Sequence, residues 1–231
     1  KKVLWLSTRF AKKKKGRTVI DKLPTIKKLM RQLQQIPFLA SKNLYRVSSY
    51  FLHLDQERLD QFCAVLKQAH DNVVLCKTCF VWQEKNDPCI FCSDKTRDHL
   101  VICVVESWHE LLVIERTQAF RGVYHVLGGV ISPLEGVHAK DLKIDELIAR
   151  MNDNTKEIIF SMNQTPEGEA TAAFIAKKMQ QFVVSGSDSE SGQLKKSLKI
   201  TCLAKGIPIG SNLEFVDRLT VGKALAERTL F

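Results

Sequence analysis

The first part of the chain carries apolar residues at the three-to-four-residue spacing of amphipathic helices. Helices are predicted over 25–36, from 41 onward and over 55–69, with a break at Pro37 and with Ser41 as the N-cap of the second. The residues expected to face inward are, in chain order, Ile26, Leu29, Met30, Leu33, Leu44, Val47, Phe51, Leu59, Phe62, Cys63 and Leu66. Residues 23–72 are therefore predicted to form a small helical unit.

From residue 98 onward, short apolar runs alternate with helical segments. The runs LVICVV, VYHVLGG, EIIFSM and SLKITCLA predict four strands. Between them, one helix opens with the capping box Ser107-x-x-Glu110, a second is DELIARM, and a third begins at Pro166 after the N-cap Thr165. This alternation is typical of an α/β fold, with a mostly parallel sheet and helices on both faces. The small polar segment 185–192, SGSDSESG, predicts a mobile surface loop.

Composition limits the classes of protein that the chain can represent. It has 231 residues, of which 45% are hydrophobic and 26% charged, which is enough for a buried core. No apolar run approaches the roughly eighteen residues that cross a bilayer, and the N-terminus lacks the long apolar stretch of a signal peptide. The seven cysteines are an odd number, and Cys63, Cys103 and Cys202 are scattered. This pattern argues against a secreted disulfide framework and indicates a reducing compartment.

The charge is strongly positive, with a net value of +10. A basic chain favours a polyanionic partner such as nucleic acid, or an anionic surface, and charge alone does not choose between them. Part of the excess lies in the segment 1–22, whose first twenty residues carry basic side chains and no acid. A solvated, disordered tail, a DNA-seeking arm and a transit peptide all remain open for this segment.

Four cysteines form two Cys-x-x-Cys pairs in CKTCFVWQEKNDPCIFC. The two-residue gap directs both thiolates of a pair towards one point, and four thiolates make a closed tetrahedral zinc site. The predicted ligands of a single structural Zn²⁺ are Cys76, Cys79, Cys89 and Cys92. Because the segment is too short to form its own core, metal binding is expected to substitute for one and to supply the folding free energy. Two redox or disulfide pairs are the alternative.

Polar and acidic residues follow the predicted strands at their carboxyl ends, where α/β sheets bind ligands. Glu106 follows the first strand, and the third is followed by Asn163, Thr165, Glu167 and Glu169. If those strands are neighbours, the carboxylates converge and, with carbonyl or hydroxyl oxygens, can hold Mg²⁺. Ordinary capping explains the same residues equally well, because the dipole of a helix favours acids in its first turn. The sequence has no P-loop and no apparent Ser/His/Asp arrangement.

Several segments, taken in order, resemble the bacterial recombination mediator family RecR. They are CKTC…DPCIFCSD, VICVVES, TQAFRGVYHVLGGVISPLEGV, DLKIDELIARM, NQTPEGEATAAFIA and AKGIPIGSNLEFVD. After the basic tail over 1–22, the resemblance implies a helix-hairpin-helix over 23–72 and a four-cysteine zinc finger over 73–97. A Toprim domain follows over 98–203, and residues 204–231 form a C-terminal segment with a Walker B-like remnant that takes part in oligomerisation.

The resemblance also implies a function. Members of this family form dimers and ring-shaped tetramers that can encircle DNA in the bacterial cytoplasm, in association with the nucleoid, and they are not known as enzymes. With RecO and RecF they help to load recombinase onto single-stranded gaps. In related Toprim enzymes a glutamate matching Glu106 and a later Asp-x-Asp support metal-dependent chemistry, whereas the later motif here is Asn163-Gln164-Thr165. The acidic face of the family is associated with partner contact, which implies that Glu167 and Glu169 contact RecO.

The predicted hairpin departs from the family pattern. A Pro-Gly-x-Gly-Pro-Lys type of turn is expected, whereas the chain has PFLASK over 37–42 and lacks both glycines. Glycines let backbone N–H groups approach a phosphate closely, and Phe38 and Ala40 are expected to crowd that approach. Lys42 and Arg46 match basic positions of the motif and are the predicted DNA-binding residues. Two solvated surface charges are the alternative.

The sequence as a whole predicts a DNA-binding accessory protein of recombinational repair and not an enzyme. It is expected to hold gapped or junction DNA without sequence preference, as a homodimer or homotetramer that works with RecO- and RecF-type mediators. Two alternatives remain open. One is a metal-dependent Toprim nuclease or primase, and the other is an interaction scaffold that has lost DNA binding.

Overall fold

The computed structural model describes residues 22–152, 154–185, 198–204, 206–208 and 210–228. The chain divides into two compact units, one that ends at Asp71 and one that begins at Asn72. The predictions for the basic tail and for the loop over 185–192 fall almost entirely outside the described residues. Among the described helices, none has both the length and the apolar character that a membrane crossing requires.

The first unit contains three helices, α1 (Pro24–Leu33), α2 (Leu44–His53) and α3 (Gln56–Asn72). Its core is formed by Met30 and Leu33 of α1 with Leu44 of α2, all of them buried. Around this core pack the other apolar residues predicted for α1 and α2, namely Ile26, Leu29, Val47 and Phe51. The inward-facing stripes of these two helices are thereby confirmed, since the residues at helical spacing are those that pack together.

One turn of 3₁₀ helix precedes α2 and displaces its predicted start. Ser41–Asn43 form this turn, in which the Asn43 N–H donates to the Ala40 carbonyl (2.8 Å). The Leu44 N–H then donates to the Ser41 carbonyl, and no side chain caps α2. The prediction of Ser41 as the N-cap is therefore wrong, because backbone carbonyls already take up the first free N–H groups of the helix.

Within the described residues, the apolar face of α3 does not pack into a core. Leu59 is half-buried, but Phe62, Cys63 and Leu66 are exposed, so the inward orientation predicted for these three is wrong. α3 touches α2 through the rings of Phe51 and Phe62, whose centroids are 5.2 Å apart. The spacing of apolar residues identified a face of the helix correctly but carried no information on what covers that face.

A short antiparallel hairpin, β1 (Val73–Leu75) with β2 (Trp82–Glu84), opens the second unit. A four-stranded sheet follows, in which every neighbouring pair is parallel. Its strands are β3 (Asp98–Val105), β4 (Gly122–Val126), β5 (Glu157–Phe160) and β6 (Lys199–Cys202), in the spatial order β4-β3-β5-β6. Because the chain extends to either side of β3, a crevice is expected at the carboxyl end of that strand.

Helices cover both faces of the sheet, as predicted. α4 (Trp108–Arg116) connects β3 to β4, α5 (Ile144–Arg150) lies between β4 and β5, α6 (Pro166–Ser185) connects β5 to β6, and α7 (Arg218–Ala226) follows β6. The step from β3 to β4 runs opposite to the later steps, so right-handed crossovers place α4 on one face and α5 and α6 on the other. The buried residues agree: Leu111 of α4 belongs to one core cluster, and Leu147 and Met179 of α5 and α6 belong to the other.

The four-cysteine loop, residues 76–97, shares its buried core with the sheet. Cys103 and Val105 of β3 belong to the same buried cluster as Cys79, Val81 and Phe91 of the loop. The N–H of Val126, at the end of β4, also donates to the Cys79 carbonyl (2.9 Å). This arrangement corrects the expectation that a metal substitutes for a missing core. The loop is itself part of the core, and together with α4 it covers one face of the sheet.

Arg97 fastens the end of the loop to the sheet. Its guanidinium donates two hydrogen bonds to the Glu115 carboxylate (2.9 and 2.8 Å) and one to the Gly122 carbonyl (3.1 Å). It also lies over the Phe91 ring, 4.7 Å from the centroid, and only 11% of its side chain is exposed. Burial is the largest influence on Glu115 and acts to raise its pKa, but the hydrogen bonds and the positive charge of Arg97 outweigh burial and lower it.

We expect Arg97→Met to lower the free energy of unfolding of the second unit by about 2–4 kcal/mol, because it leaves the Glu115 carboxylate without its partner beside the core. Urea unfolding followed by tryptophan fluorescence measures this loss. Lys199→Met is the matched control, since Lys199 pairs with Glu157 (3.5 Å) while 69% of its side chain is exposed. An Arg97→Met protein no less stable than this control would contradict the role given to Arg97.

Candidate functional site

The predicted metal ligands come together in the structure. The sulfur atoms of Cys76, Cys79, Cys89 and Cys92 all lie within 4.8 Å of one another. The Sγ atoms of Cys79 and Cys89 are 3.4 Å apart, and those of Cys76 and Cys92 are 4.0 Å apart. Ligands about 2.3 Å from a tetrahedral centre lie about 3.8 Å from one another, whereas a disulfide needs about 2.05 Å. The cluster therefore has the dimensions of a tetrathiolate metal site and not of two disulfides.

Two tight turns present these sulfur atoms. In the first, which follows β1, the Phe80 N–H donates to the Cys76 carbonyl (3.0 Å) and the Thr78 N–H to the Cys76 Sγ (3.4 Å). In the second, the N–H and the hydroxyl of Ser93 both donate to the Cys89 carbonyl (3.0 and 2.6 Å). β2 leads from the first turn towards the second and pairs antiparallel with β1. This pairing brings the two turns side by side.

Without a cation to balance their negative charge, ionisation of all four thiols of the cluster is unfavourable. A hydrogen bond to Cys92, together with burial, raises the pKa of Cys79, and burial raises the pKa of Cys89. The same bond is the main reason that the pKa of Cys92 is lowered to about 5. A divalent cation removes this penalty, because it binds thiolates and balances their charge. Four sulfur donors with no open position are compatible with a zinc site.

A second cluster lies at the carboxyl end of β3. The backbone N–H of Asn163 donates to Glu106 Oε1 (2.6 Å). Its side-chain amide donates to Glu106 Oε2 (2.8 Å) and to Glu110 Oε1 (3.2 Å). These contacts are possible because β3 and β5 are neighbours, as the sequence interpretation required. The amide thus lies between two carboxylates and supplies hydrogen-bond donors where a catalytic site would hold a cation.

Glu110 is the member of this cluster that the sequence analysis missed. Its predicted role in a capping box with Ser107 is confirmed, since the Ser107 N–H donates to Glu110 Oε2 (2.9 Å). The missed signal was its position four residues after Glu106, in the first turn of the helix that follows β3. Burial acts to raise the pKa of Glu110, but the hydrogen bonds from Ser107 and Asn163 outweigh it and lower that pKa.

The start of α6 lies against the same cluster. A Cβ atom at Gly168 would lie 2.3 Å from the Asn163 carbonyl oxygen and 3.0 Å from Glu106 Oε1, so only glycine fits there without a shift. Thr165 caps α6 as predicted, with its hydroxyl oxygen accepting from the Gly168 N–H (3.1 Å). Glu167 and Glu169 in the first turn are exposed, and Glu169 pairs with Lys223 of α7 (3.2 Å). The first turn of α6 is therefore a cap that presents acids to solvent.

The hairpin between α1 and α2 is uniformly basic. From Lys22 to His53 the sequence has no acidic residue, and its basic residues are Lys22, Lys27, Lys28, Arg31, Lys42 and Arg46. Lys42 lies in the 3₁₀ turn and Arg46 lies in the first turn of α2, and both are exposed. The structure therefore places the two predicted DNA-binding residues on a surface whose local sequence offers no competing carboxylate.

The turn of this hairpin keeps a glycine-like backbone although its glycines are absent. Phe38 has a φ of +63°, in the left-handed region. That conformation costs a residue with a Cβ atom roughly 1–2 kcal/mol. The Phe38 side chain is fully exposed, so packing among the described residues does not offset the cost. Nothing in the sequence indicates this conformation, since phenylalanine disfavours it.

The segment after β6 exposes apolar residues. A 3₁₀ turn over Leu213–Phe215 leads to α7, whose N-cap Asp217 accepts from the N–H groups of Leu219 and Thr220 (3.0 and 2.9 Å). No residue of α7 is buried among the described parts of the chain. The exposed apolar residues of this segment are Leu213, Phe215, Leu219 and Leu225. Apolar surface of this kind is typical of protein–protein contacts.

Comparison with protein families agrees with this geometry. Residues 101–186 match the model of the Toprim domain, which spans β3 to α6. Residues 206–229 match the model described as RecR, C-terminal, which includes α7. The two matches have the order that the sequence motifs predicted.

Curated relatives carrying the name recombination protein RecR align with most of the chain. The protein of Clostridium perfringens strain ATCC 13124 is 36% identical over 205 residues, which are 89% of this chain and 96% of that protein. The protein of Heliobacterium modesticaldum is 36% identical over 202 residues, 87% of this chain and 94% of its own. The protein of Tropheryma whipplei strain Twist is 37% identical over 204 residues, 88% of this chain and 96% of its own. The chain therefore belongs to the RecR family of recombination proteins.

Proposed function

We propose that the protein is an accessory factor of recombinational DNA repair that binds DNA as an oligomeric clamp. In the bacterial cytoplasm, with RecO- and RecF-type partners, it promotes recombinase loading on single-stranded gaps. The observation that carries the proposal is the hairpin surface of Lys42 and Arg46, which are exposed in a segment without acids. The names of the curated relatives support a role in recombination.

The hairpin suits the DNA backbone better than the bases. Lys42 and Arg46 sit on a turn and on the helical turn after it, where long cationic side chains reach phosphates. Binding of this kind releases counterions, shows little sequence preference and weakens steeply with salt. The hairpin lacks its glycines, so side chains and not backbone N–H groups make the phosphate contacts.

Two exposed apolar surfaces suit assembly of the clamp. One is on α3 and includes Phe62, Val65 and Leu66, and the other is on the C-terminal segment and includes Phe215 and Leu219. A surface that pairs with its own copy gives a two-fold dimer, and two such surfaces on one chain permit a closed ring. One surface then forms a homodimer, and both together form a homotetramer around DNA.

The acidic edge of the sheet is assigned to partner contact. Glu106 and Glu110 lie at the carboxyl end of β3, and Glu167 and Glu169 lie in the first turn of α6. Carboxylates on an exposed edge attract a basic surface and set its orientation. This edge is the site that we assign to a RecO-type mediator.

Catalysis at the same edge is not favoured. A Toprim nuclease or primase needs carboxylate oxygens that converge on Mg²⁺. Here the Asn163 amide presents hydrogen atoms to Glu106 and Glu110, and a group that donates in this orientation cannot ligate a cation there. The protein is accordingly assigned a binding function and no enzymatic one.

One structural Zn²⁺ is assigned to the four cysteines. When bound, it balances the thiolate charges and fixes the two turns that carry them. Residues 73–97 then form a finger whose inner side belongs to the core of the sheet. In this assignment residues 23–72 bind DNA and contribute the α3 surface to assembly, residues 98–203 carry the acidic edge, and residues 204–231 also serve assembly.

Replacing both Lys42 and Arg46 by alanine should weaken the binding of gapped DNA by a similar factor whatever the base sequence of the DNA. Loss of two phosphate contacts is expected to reduce the slope of log K against log salt by about 2, measured by fluorescence anisotropy from about 50 to 200 mM salt. Arg58→Ala is the matched control, since Arg58 on α3 pairs with Asp55 (3.4 Å) outside the hairpin. If the unaltered protein binds no gapped DNA at low salt, alone and with a RecO-type partner, the scaffold alternative is favoured instead.

The purified protein should contain about one zinc ion per chain by plasma mass spectrometry. Chelation is expected to lower the melting temperature of the second unit and to change the fluorescence of Trp82 and Trp108, whose rings lie 5.6 Å apart next to the loop. Cys92→Ser should lose the metal, whereas Cys63→Ser, which alters an exposed cysteine, should retain it. A metal-free protein with an unchanged melting temperature would refute this assignment.

Asn163→Asp restores an acid to the edge of the sheet. Without divalent ions we expect its melting temperature to fall by roughly 3–6 °C, because three carboxylates then repel one another, and we expect millimolar Mg²⁺ to restore part of it. Asn163→Ser is the control, since it loses the same amide without adding charge. Cleavage or synthesis of DNA by the unaltered protein with Mg²⁺ or Mn²⁺, abolished by Glu106→Gln, would instead revive the enzymatic alternative.

A further inference from the structure

Phe38 combines a strained backbone with a fully exposed aromatic ring at the tip of the hairpin. Its φ is +63°, and the residue has a relative exposure of 104%. Strain of this kind persists where the surrounding structure or a function maintains it. The turn is held by its neighbours, since the Leu39 N–H donates to the Ile36 carbonyl (3.3 Å) and α1 packs with α2 on either side.

A second phenylalanine of the chain has similar backbone strain, but packing of its ring offsets that strain. Phe80 has a φ of +60°, nearly that of Phe38. Its ring, however, packs edge-on against His125 with centroids 5.4 Å apart, and the Lys143 ammonium lies 5.1 Å from its centroid. No such contact exists for Phe38 within the described parts of the chain. The strain at Phe80 is offset by packing, and the strain at Phe38 is not.

The surroundings of Phe38 indicate what its ring contacts. Lys42 and Arg46 follow it, Lys28 and Arg31 precede it on α1, and Tyr45 of α2 is also exposed. An exposed aromatic ring in a segment that carries exposed cations and no acids is the combination by which proteins hold single-stranded nucleic acid. The cations meet phosphates, and the ring stacks on a base. A protein pocket that received this hairpin would have to accept the same cluster of positive charge.

We propose that Phe38 stacks on an unpaired base in the single-stranded part of gapped DNA. Bases in an intact duplex are already stacked on both sides, so the ring gains no partner there, whereas the bases of a gap offer a free face. The hairpin then binds any DNA through its cations and distinguishes a gap from a duplex through Phe38. This inference rests on the proposed DNA-binding function and adds the structural form of DNA that the hairpin selects.

The test compares gapped and intact duplexes of equal length, with 2-aminopurine in the gap. Phe38→Leu keeps an apolar side chain, Phe38→Gly also relieves the strain, Phe38→Trp keeps an aromatic ring, and Ile36→Ala alters an exposed apolar residue of the same turn. Phe38→Leu and Phe38→Gly are expected to weaken binding of gapped DNA about tenfold, to leave binding of the intact duplex unchanged and to remove the quenching of 2-aminopurine. Phe38→Trp and the control Ile36→Ala should retain both the binding of gapped DNA and the quenching of 2-aminopurine. The glycine variant should melt no lower than the unaltered protein, which shows that it folds.

The remaining outcomes overturn the inference in distinguishable ways. Equal gap binding by all four variants, with the salt dependence from Lys42 and Arg46 intact, removes the role of Phe38 and leaves the proposed function standing. Loss of self-association in Phe38→Gly, measured as solution mass, with unchanged DNA affinity assigns the ring to a protein contact. Absence of any DNA binding by the unaltered protein at low salt removes the proposed function together with the inference.

Discussion

The second unit depends on one constraint: both faces of its parallel sheet have to be covered. A parallel sheet has to be buried on both faces, because its strands carry apolar side chains on each. Among the described residues, α5 and α6 cover one face and α4 is the helix on the other. The four-cysteine loop completes that second face, with Val81 and Phe91 packed against β3 and β4. Arg97 ties the loop to Glu115 and Gly122. The loop and the sheet therefore share one buried core, so folding of the loop is coupled to folding of the sheet.

The same packing also determines which residues meet at the edge of the sheet where its strands have their carboxyl ends. Once β3 and β5 are neighbours, Glu106 and Asn163 have to meet, and the start of α6 comes so close that Gly168 has no room for a side chain. Glu106 and Glu110 come together at this edge, and the Asn163 amide donates hydrogen bonds to both carboxylates.

The first unit follows a different rule. Its buried core is small, made from Met30, Leu33 and Leu44, and much of its apolar surface on α3 is exposed. A unit with so little core would gain stability if its exposed apolar face were covered. The basic hairpin is held by the packing of α1 with α2 on either side of its turn, while its cations and Phe38 remain exposed.

The sequence by itself determined most of the elements and the four cysteines that form one cluster. Period and spacing are local properties, so they sufficed to predict the stripes of α1 and α2, the parallel strands, the Thr165 cap and the two cysteine pairs. Only the tertiary structure decided which surfaces meet. It placed the cysteine loop in the core of the sheet, joined Glu110 to Asn163, turned Phe62 and Leu66 outward and gave Phe38 a positive φ. These outcomes depend on contacts between segments distant in sequence or on the geometry of a turn, and neither is encoded in the residues at one position.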